Sequence, residues 1–248
     1  MRGWLAGLTL LTAAAATSAG AVECREENYR GNAYVVCEVD PAAEDLRLFL
    51  NDTSGTPFGH FETLNTALRE DGKQLLFGMN AGMYHEDRRP VGHYVEEGEE
   101  LMRVIPNPGP GNFGLVPNGV FCFGEGKAEV IETLKFVDTR QGKCRFATQS
   151  GPMLVIDGEL HPKFLPESNS RYLRNGVGTS ASGDRAVFVI SRNAVTFHEF
   201  GSFFRDQLGL PQALYFDGNI SRLYAPGLGR ADGGRTMGPI VAVVAPVE

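Results

Sequence analysis

The length of the apolar runs limits this chain more than any other feature. Beyond residue 21 they are short, many alternate with polar residues, and most stop at glycine, asparagine or aspartate. A run of that kind buries as a strand and is too short for a long helix. Tyr34–Val39, Leu46–Leu50, Gln74–Met79, Gly119–Phe123, Ala128–Thr133, Pro152–Ile156, Ala186–Ile190, Ala213–Phe216 and Ile240–Val244 read as strands, with Gly92–Val95 a shorter one. Gly98, Gly124–Gly126 and Asp157-Gly158 signal turns between them. Two segments carry a helical period instead. Phe61, Leu64 and Leu68 stand at i, i+3 and i+7 and the pattern ends near Gly72. Phe200, Phe203, Phe204 and Leu208 stripe one face of a segment from Phe197 to Leu208, closed by Gly209. This second helix lies between two strands, an order that permits a parallel pair. Strands outnumber helices and no repeat or linker divides the chain. The expectation is a single α+β domain with a large mixed sheet.

Residues 1–21 read as a secretory signal: Arg2 is the positive start, an apolar stretch runs from Trp4 to about Ala16, and Ala19-Gly20-Ala21 supplies small residues for cleavage. That stretch falls short of the roughly 20 residues needed to span a bilayer. Glu23 before Cys24 does not fit lipid attachment. Residues 22–248 are therefore the expected domain, periplasmic or secreted, with no stable membrane anchor once the signal is cleaved. The chain has 23 Lys and Arg against 30 Asp and Glu, a net charge of −7, and loss of Arg2 leaves 22 basic residues. An acidic surface disfavours nucleic acid and anionic lipid as partners. Four cysteines follow the signal: Cys24, Cys37, Cys122 and Cys144. In an exported chain they read as two disulfides with three possible connectivities. Cys24–Cys37 and Cys122–Cys144 are preferred, because each closes a short loop within neighbouring strands. No Cys-x-x-Cys and no histidine at metal-finger spacing accompanies them, so no metal site or cofactor is expected.

Several strand ends share one design, an apolar run followed by small residues with a polar group among them. They are Gly78–Gly82 with Asn80, Thr148–Pro152 with Ser150 and Gly151, Val189–Asn193 with Ser191, and Phe216–Asn219 with Asp217 and Gly218. Pro117-Asn118-Gly119 and Arg174-Asn175-Gly-Val-Gly178 belong with them. Taken singly each reads as a turn, Asp217-Gly218 above all. Taken together they place neutral donors and acceptors beside backbone that a ligand can approach, chemistry suited to sugar hydroxyls or a phosphoryl oxygen. Arg174 adds a cation whose donor fork matches phosphate or carboxylate, unless it serves a surface ion pair. A buried strand running into Asp217 fixes that carboxylate at a sheet rim. Other arrangements are weaker: Ser150 lacks the Gly-x-Ser-x-Gly elbow, and the five histidines form no metal motif. His85 and His93 flank the Asn80 segment.

Asn80-Ala-Gly-Met-Tyr84, Arg89-Pro-Val-Gly92, Asn112-Phe-Gly114, Pro117–Phe121, Ala147–Leu154, Arg174–Gly178 and Ala213–Ser221 together resemble the phosphodiester glycosidase family, whose domain is shared with the lysosomal uncovering enzyme. The matches run in order from about residue 60 to the C-terminus. The resemblance implies hydrolysis of a sugar-1-phosphodiester at the sugar carbon, an α+β fold, and loops lining one surface cavity. It implies Asp217 at the reacting centre and Arg174 on the phosphate. Asn80, Gly82, Asn118, Ser150, Gly151, Asn175, Ser191, Gly218, Asn219 and Ser221 become substrate-binding candidates. Asn219 departs from the family's more usual Asp-Gly-Gly and places a side chain at the cavity edge. Glu86 and Asp87 are candidates for a second carboxylate. Two other functions fit the same residues: a non-catalytic envelope module that binds a glycan or anion, and a metal-dependent phosphodiesterase that cuts P–O.

Overall fold

The computed structural model describes residues 22–140 and 142–247, so the expected signal segment lies outside the described residues. Strands β1 (Glu23–Tyr29), β2 (Asn32–Val39) and β3 (Asp45–Phe49) lead into helix α1 (Phe61–Glu70) and strand β4 (Lys73–Asn80). Strands β5 (Tyr94–Glu96), β6 (Glu99–Met102), β7 (Gly119–Gly124) and β8 (Lys127–Glu132) precede helix α2 (Thr133–Thr139). Next come β9 (Phe146–Ser150), β10 (Met153–Ile156), β11 (Glu159–Leu160), β12 (Asn175–Thr179) and β13 (Ala186–Ser191). Helix α3 (Phe197–Ser202) opens into a wide π-turn over Phe203–Gln207. Strands β14 (Gln212–Asp217), β15 (Leu223–Ala225), β16 (Arg230–Ala231) and β17 (Ile240–Pro246) follow.

The strands form three sheets, in the orders β1-β2-β13-β12-β14-β10-β11, β16-β15-β4-β17-β3 and β6-β5-β9-β7-β8. Their inner faces meet in one core, where Phe77 and Met79, Phe121 and Phe123, and Phe188 and Phe216 come from the three sheets in turn. Each outer face carries one helix. Phe61, Leu64 and Leu68 of α1 pack on Leu75, Ile240 and Ala242. Phe136 of α2 covers Val120 and Ile131. Phe200, Phe203 and Phe204 cover Tyr34, Val187 and Val189. A sheet buried on both faces has no need of strict apolar–polar alternation, which explains the continuous runs.

The α+β class is as expected, but the sheets are not mixed: the pairings in all three are antiparallel. Strands β13 and β14, joined through α3, do run in one direction, yet β12 lies between them and opposes both. Asn175-Gly-Val-Gly-Thr179 reads as a loop in sequence because it offers one large apolar side chain. Its glycines are set by packing: a Cβ on Gly178 would stand 2.7 Å from Leu210 and 2.9 Å from Phe204. Strand β1 is a charged edge, a pattern that blocks pairing with other chains and hides the strand from hydropathy. Helix α2 also escapes the periodicity, being 7 residues long. The disulfides are Cys24–Cys37, between directly paired positions of β1 and β2, and Cys122–Cys144. No helix among the described residues is long and apolar enough to cross a membrane.

Candidate active site

At the end of β14 the chain breaks its ladder with β12. Tyr215 pairs with Gly176 and Asp217 with Asn175, so Phe216 is an extra residue, a bulge. Bulges re-aim side chains and leave backbone groups without partners, and side chains supply the missing bonds here. Ser150 Oγ donates to the carbonyl of Phe216 at 2.9 Å, and the amide of Asp217 donates to Asn175 Oδ1 at 3.2 Å. Ser221 Oγ donates to the carbonyls of Asp217 (2.9 Å) and Leu173 (3.1 Å). Asn175 Nδ2 donates to the carbonyl and Oδ1 of Asn80, both at 3.0 Å, and Asn80 Oδ1 takes the amide of Arg222 at 2.9 Å. Asn80, Ser150 and Asn175 are fully buried.

The bulge presents Asp217 at the wall of an open cavity of about 850 Å³. Asp217 Oδ1 accepts the amides of Gly218 (2.6 Å) and Asn219 (2.9 Å), which fixes the carboxylate plane. Burial raises the Asp217 pKa above the ordinary carboxylate value, against those amide bonds. Tyr215 shares the wall, and its hydroxyl is buried beside the Arg174 guanidinium and the Asn112 side chain without meeting hydrogen-bond geometry to either. Burial also pushes the Tyr215 hydroxyl up, so it remains a donor at neutral pH. A side chain at position 218 would overlap that hydroxyl, which is why glycine follows Asp217.

Arg174 closes the inner end of the cavity. Its Nε donates to the carbonyl of Val195 at 2.9 Å and its Nη2 to that of Ser170 at 3.0 Å. The guanidinium lies 3.7 Å from the Phe197 ring centre and 5.4 Å from those of Tyr172 and Tyr215. Cation–π contacts and two carbonyls soften the burial of this charge without neutralising it. Arg174 is 0 % exposed, it has no carboxylate within 4 Å among the described residues, and Nη1 is buried without a partner. Desolvation lowers its pKa from the ordinary value, with Tyr215 and Tyr172 opposing the shift; an arginine stays charged all the same. The Nε–Nη2 edge expected to grip a ligand is thus engaged by backbone, and Nη1 is the donor left free.

Of the positions singled out in the sequence, Arg174, Asp217, Gly218 and Asn219 line the cavity. Asn80, Ser150, Asn175 and Ser221 form the network behind the bulge. Ser191 Oγ accepts the amide of Arg174 at 2.9 Å and so sets that residue from behind. Asn118 binds the carbonyl of Phe113 through Nδ2 and Thr133 Oγ1 through Oδ1. Gly151 packs against Asn118 and the Phe113 carbonyl, so both shape the Asn112–Phe113 wall without reaching the cavity. Gly82, at φ 115°, is buried against Thr148. These eight are buttresses of the cavity and not its surface. Glu86 and His85 line it; Asp87 instead pairs with Arg89 at 2.6 Å, and His93 is buried beside Phe136. Tyr215, Tyr84, Arg88 and Arg235 also line the cavity and were not singled out as site residues. A period-2 reading of β14 from Asp217 leads to Tyr215; nothing local marks Arg88 or Arg235.

The family model for phosphodiester glycosidase matches residues 73–241, more than half of the chain and the whole span that builds the cavity floor. The chain belongs to the phosphodiester glycosidase family. It is 33 % identical over 189 residues to the uncharacterized protein YigE of Escherichia coli strain K12, covering 76 % of this chain and 73 % of YigE. Its fold matches that of the catalytic domain of zebrafish N-acetylglucosamine-1-phosphodiester alpha-N-acetylglucosaminidase, auto-inhibited by its pro-peptide, with a TM-score of 0.62. That match spans 90 % of this chain and 81 % of the zebrafish domain at 14 % identity, so it bears on the fold.

Proposed function

We propose that this phosphodiester glycosidase hydrolyses the bond between the anomeric carbon of a sugar and the oxygen of a phosphodiester, on a cell-envelope glycan or related metabolite. One observation carries the reading: a fully buried, unpaired Arg174 with Nη1 free in the wall that also holds Asp217. A desolvated cation without a carboxylate is costly, and an anion that completes it lowers that cost. In this mechanism the phosphate takes that place. Nη1 of Arg174 and the Tyr215 hydroxyl stabilise the charge that grows on the departing phosphate monoester, as preorganised donors in a site of low dielectric. The monoester is a good leaving group, so the chemistry leans on charge neutralisation more than on a general acid. Asp217, held through Oδ1, offers Oδ2 to the positive charge that develops at the anomeric carbon in an oxocarbenium-like transition state. Residues 22–248 act as one exported domain in the periplasm or outside the cell, which the two disulfides favour.

Turnover of a sugar-1-phosphodiester in ¹⁸O-labelled water, with and without chelator, tests the proposal. Label in the sugar, indifferent to chelator, supports it. Label in phosphate means P–O cleavage, and absence of turnover over a panel of sugar-1-phosphodiesters leaves a binding module; either result overturns it.

A further inference from the structure

The exposed apolar side chains gather at one end of the cavity. Seven large hydrophobic residues are exposed among the described residues, and three of them, Leu165, Tyr172 and Leu173, stand on the loop of residues 161–174 between β11 and β12. A fourth, Leu228, lines the same small cleft as Leu173. Single apolar residues on a surface need no explanation, but four of the seven in one place do. The charged groups around them are already matched: Arg192 pairs with Glu26, Arg230 with Asp232, and Arg171 of the loop with Glu199. The apolar side chains are the part of this face left without a partner.

The loop is held so that they point outward. Phe164 stacks on Phe197 at 5.1 Å and on His161 at 4.8 Å between ring centres. At the other end Tyr172 and Val195 exchange backbone bonds of 3.1 and 2.9 Å. Between and beside these anchors Leu165 is 68 % exposed, Tyr172 51 % and Leu173 47 %, so folding gains little from them. Tyr172 belongs to the loop and to the catalytic cavity alike. Contacts along the wall run from Asp217 through Tyr215 to Arg174 and on to Tyr172. A Cβ on Gly218 would stand 2.1 Å from the Tyr215 hydroxyl, and the Arg174 guanidinium lies 5.4 Å from each tyrosine ring. Polar side chains mark the opposite end, where the charges of Arg88, Arg235 and Asp217 all act on the Tyr84 hydroxyl.

In the proposed mechanism the anomeric carbon lies at Asp217 and the phosphate at Arg174 Nη1 and the Tyr215 hydroxyl. The sugar then takes the polar end beside Tyr84, and the second ester oxygen of the phosphate faces Tyr172. We propose that the aglycone is a lipid alcohol, whose chain leaves the cavity past Tyr172 and lies on the exposed face made by Leu165, Leu173 and Leu228. Water adds its oxygen to the anomeric carbon, and the C–O bond breaks with its electron pair on the phosphate. The products are the free sugar, the dianionic lipid monophosphate and a proton. The inference rests on the glycosidase reading for its orientation, but the apolar subsite can be measured without turnover.

The probes are the ethyl and octyl esters of one sugar 1-phosphate, held below the concentration at which the octyl ester aggregates. Ethyl and octyl phosphate are leaving groups of nearly equal acidity, so chain length changes contact and not chemistry. The extra methylenes, half covered and worth about twofold each, should raise kcat/KM roughly 60-fold for the octyl ester. In Leu165→Ser/Leu173→Ser that ratio should fall to about tenfold or less, with ethyl ester turnover unchanged and the melting temperature showing a folded domain. Leu134→Ser, which alters an equally exposed leucine on α2, should keep the ratio. A wild-type ratio near one overturns the proposal, as does a ratio that survives in the double variant or falls equally in Leu134→Ser. Calorimetric titration of the same proteins with ethyl and octyl phosphate reads the subsite without cleavage. Equal cleavage of both esters keeps the glycosidase and removes the subsite. A leucine-dependent preference for octyl phosphate, with neither ester cleaved, keeps the subsite and removes the reaction.

Discussion

The cavity wall and the network behind it both draw on buried polar side chains and behave as opposites. Behind the wall, Asn80, Asn175, Ser150 and Ser221 have their polar atoms bonded to backbone or to one another. On the wall, Arg174 Nη1 and the Tyr215 hydroxyl are buried and unpartnered. A satisfied buried network rigidifies the structure, whereas an unsatisfied buried donor costs about 1–3 kcal/mol that a ligand can return. Around this cavity, satisfaction of buried polar atoms separates the network from the wall. Mutations in the two regions should accordingly separate loss of activity from loss of stability.

The sharpest contrast is Asp217→Asn. The carboxamide oxygen can still accept the amides of Gly218 and Asn219, so the turn survives. The charge that the proposed mechanism sets against the anomeric carbon is gone, and kcat/KM should drop on the order of 1,000-fold or more. Thermal melting should not drop with it. Near-normal turnover in a folded Asn variant would remove Asp217 from the chemistry.

Arg174→Lys comes next. An ammonium keeps the charge but cannot hold two carbonyls and present a third donor in a plane, so a loss of about 100-fold is expected. Its signature is dependence on the leaving group: an activated phosphodiester with a more acidic aglycone phosphate should be less affected than a poor one. An equal loss on both substrates would make the role of Arg174 structural.

Across the boundary the order of effects reverses. Asn175→Ala removes the acceptor of the Asp217 amide and both bonds to Asn80, and should cost about 2–3 kcal/mol of stability. In a chain of this size that lowers the melting temperature by roughly 5–10 °C. Ser150→Ala, which strands the single Phe216 carbonyl, should cost about 1 kcal/mol. Activity should fall less in both than in Arg174→Lys. Asn175→Ala that melts normally but loses turnover would move Asn175 from buttress to site.

This division was only half legible in the sequence. Strand runs such as Ala186–Ile190 and Ile240–Val244 declare themselves because burial on both faces writes a continuous apolar string. Strand β12 does not, since its burial comes from neighbours pressing on Gly176 and Gly178, and absence of a side chain leaves no hydropathic trace. The Asp-Gly and Asn-Gly edges flagged the right neighbourhood, yet a single sequence cannot tell whether Asn175 faces ligand or Asn80. That depends on a bulge one residue long, at Phe216, between strands 42 residues apart at their paired ends. Arg88 and Arg235 escaped for a related reason. An unpaired arginine is defined by carboxylates that fail to reach it, a property of three dimensions.

The smallest effect is also the most specific to the wall. Asp217 has its folded pKa raised by burial, so at neutral pH its ionised form opposes folding. The penalty is full above the folded pKa and disappears as pH falls through it towards the lower unfolded value. Other carboxylates work in the opposite sense: Glu199, held by the Thr196 amide and Arg171, and Asp206, held by Arg205, have lowered pKa values and lose their stabilisation in acid. Total stability therefore hides the Asp217 contribution, and a difference between variants exposes it. Asp217→Asn should be more stable than the wild type at pH 7, and the margin should narrow as pH drops through the raised pKa of Asp217. Urea unfolding of both proteins at matched pH measures the margin directly. A margin of the opposite sign, with the wild type more stable at pH 7 and the gap closing in acid, would mean that the Gly218 and Asn219 amides outweigh desolvation. Asp217 would then belong with the satisfied residues behind the wall.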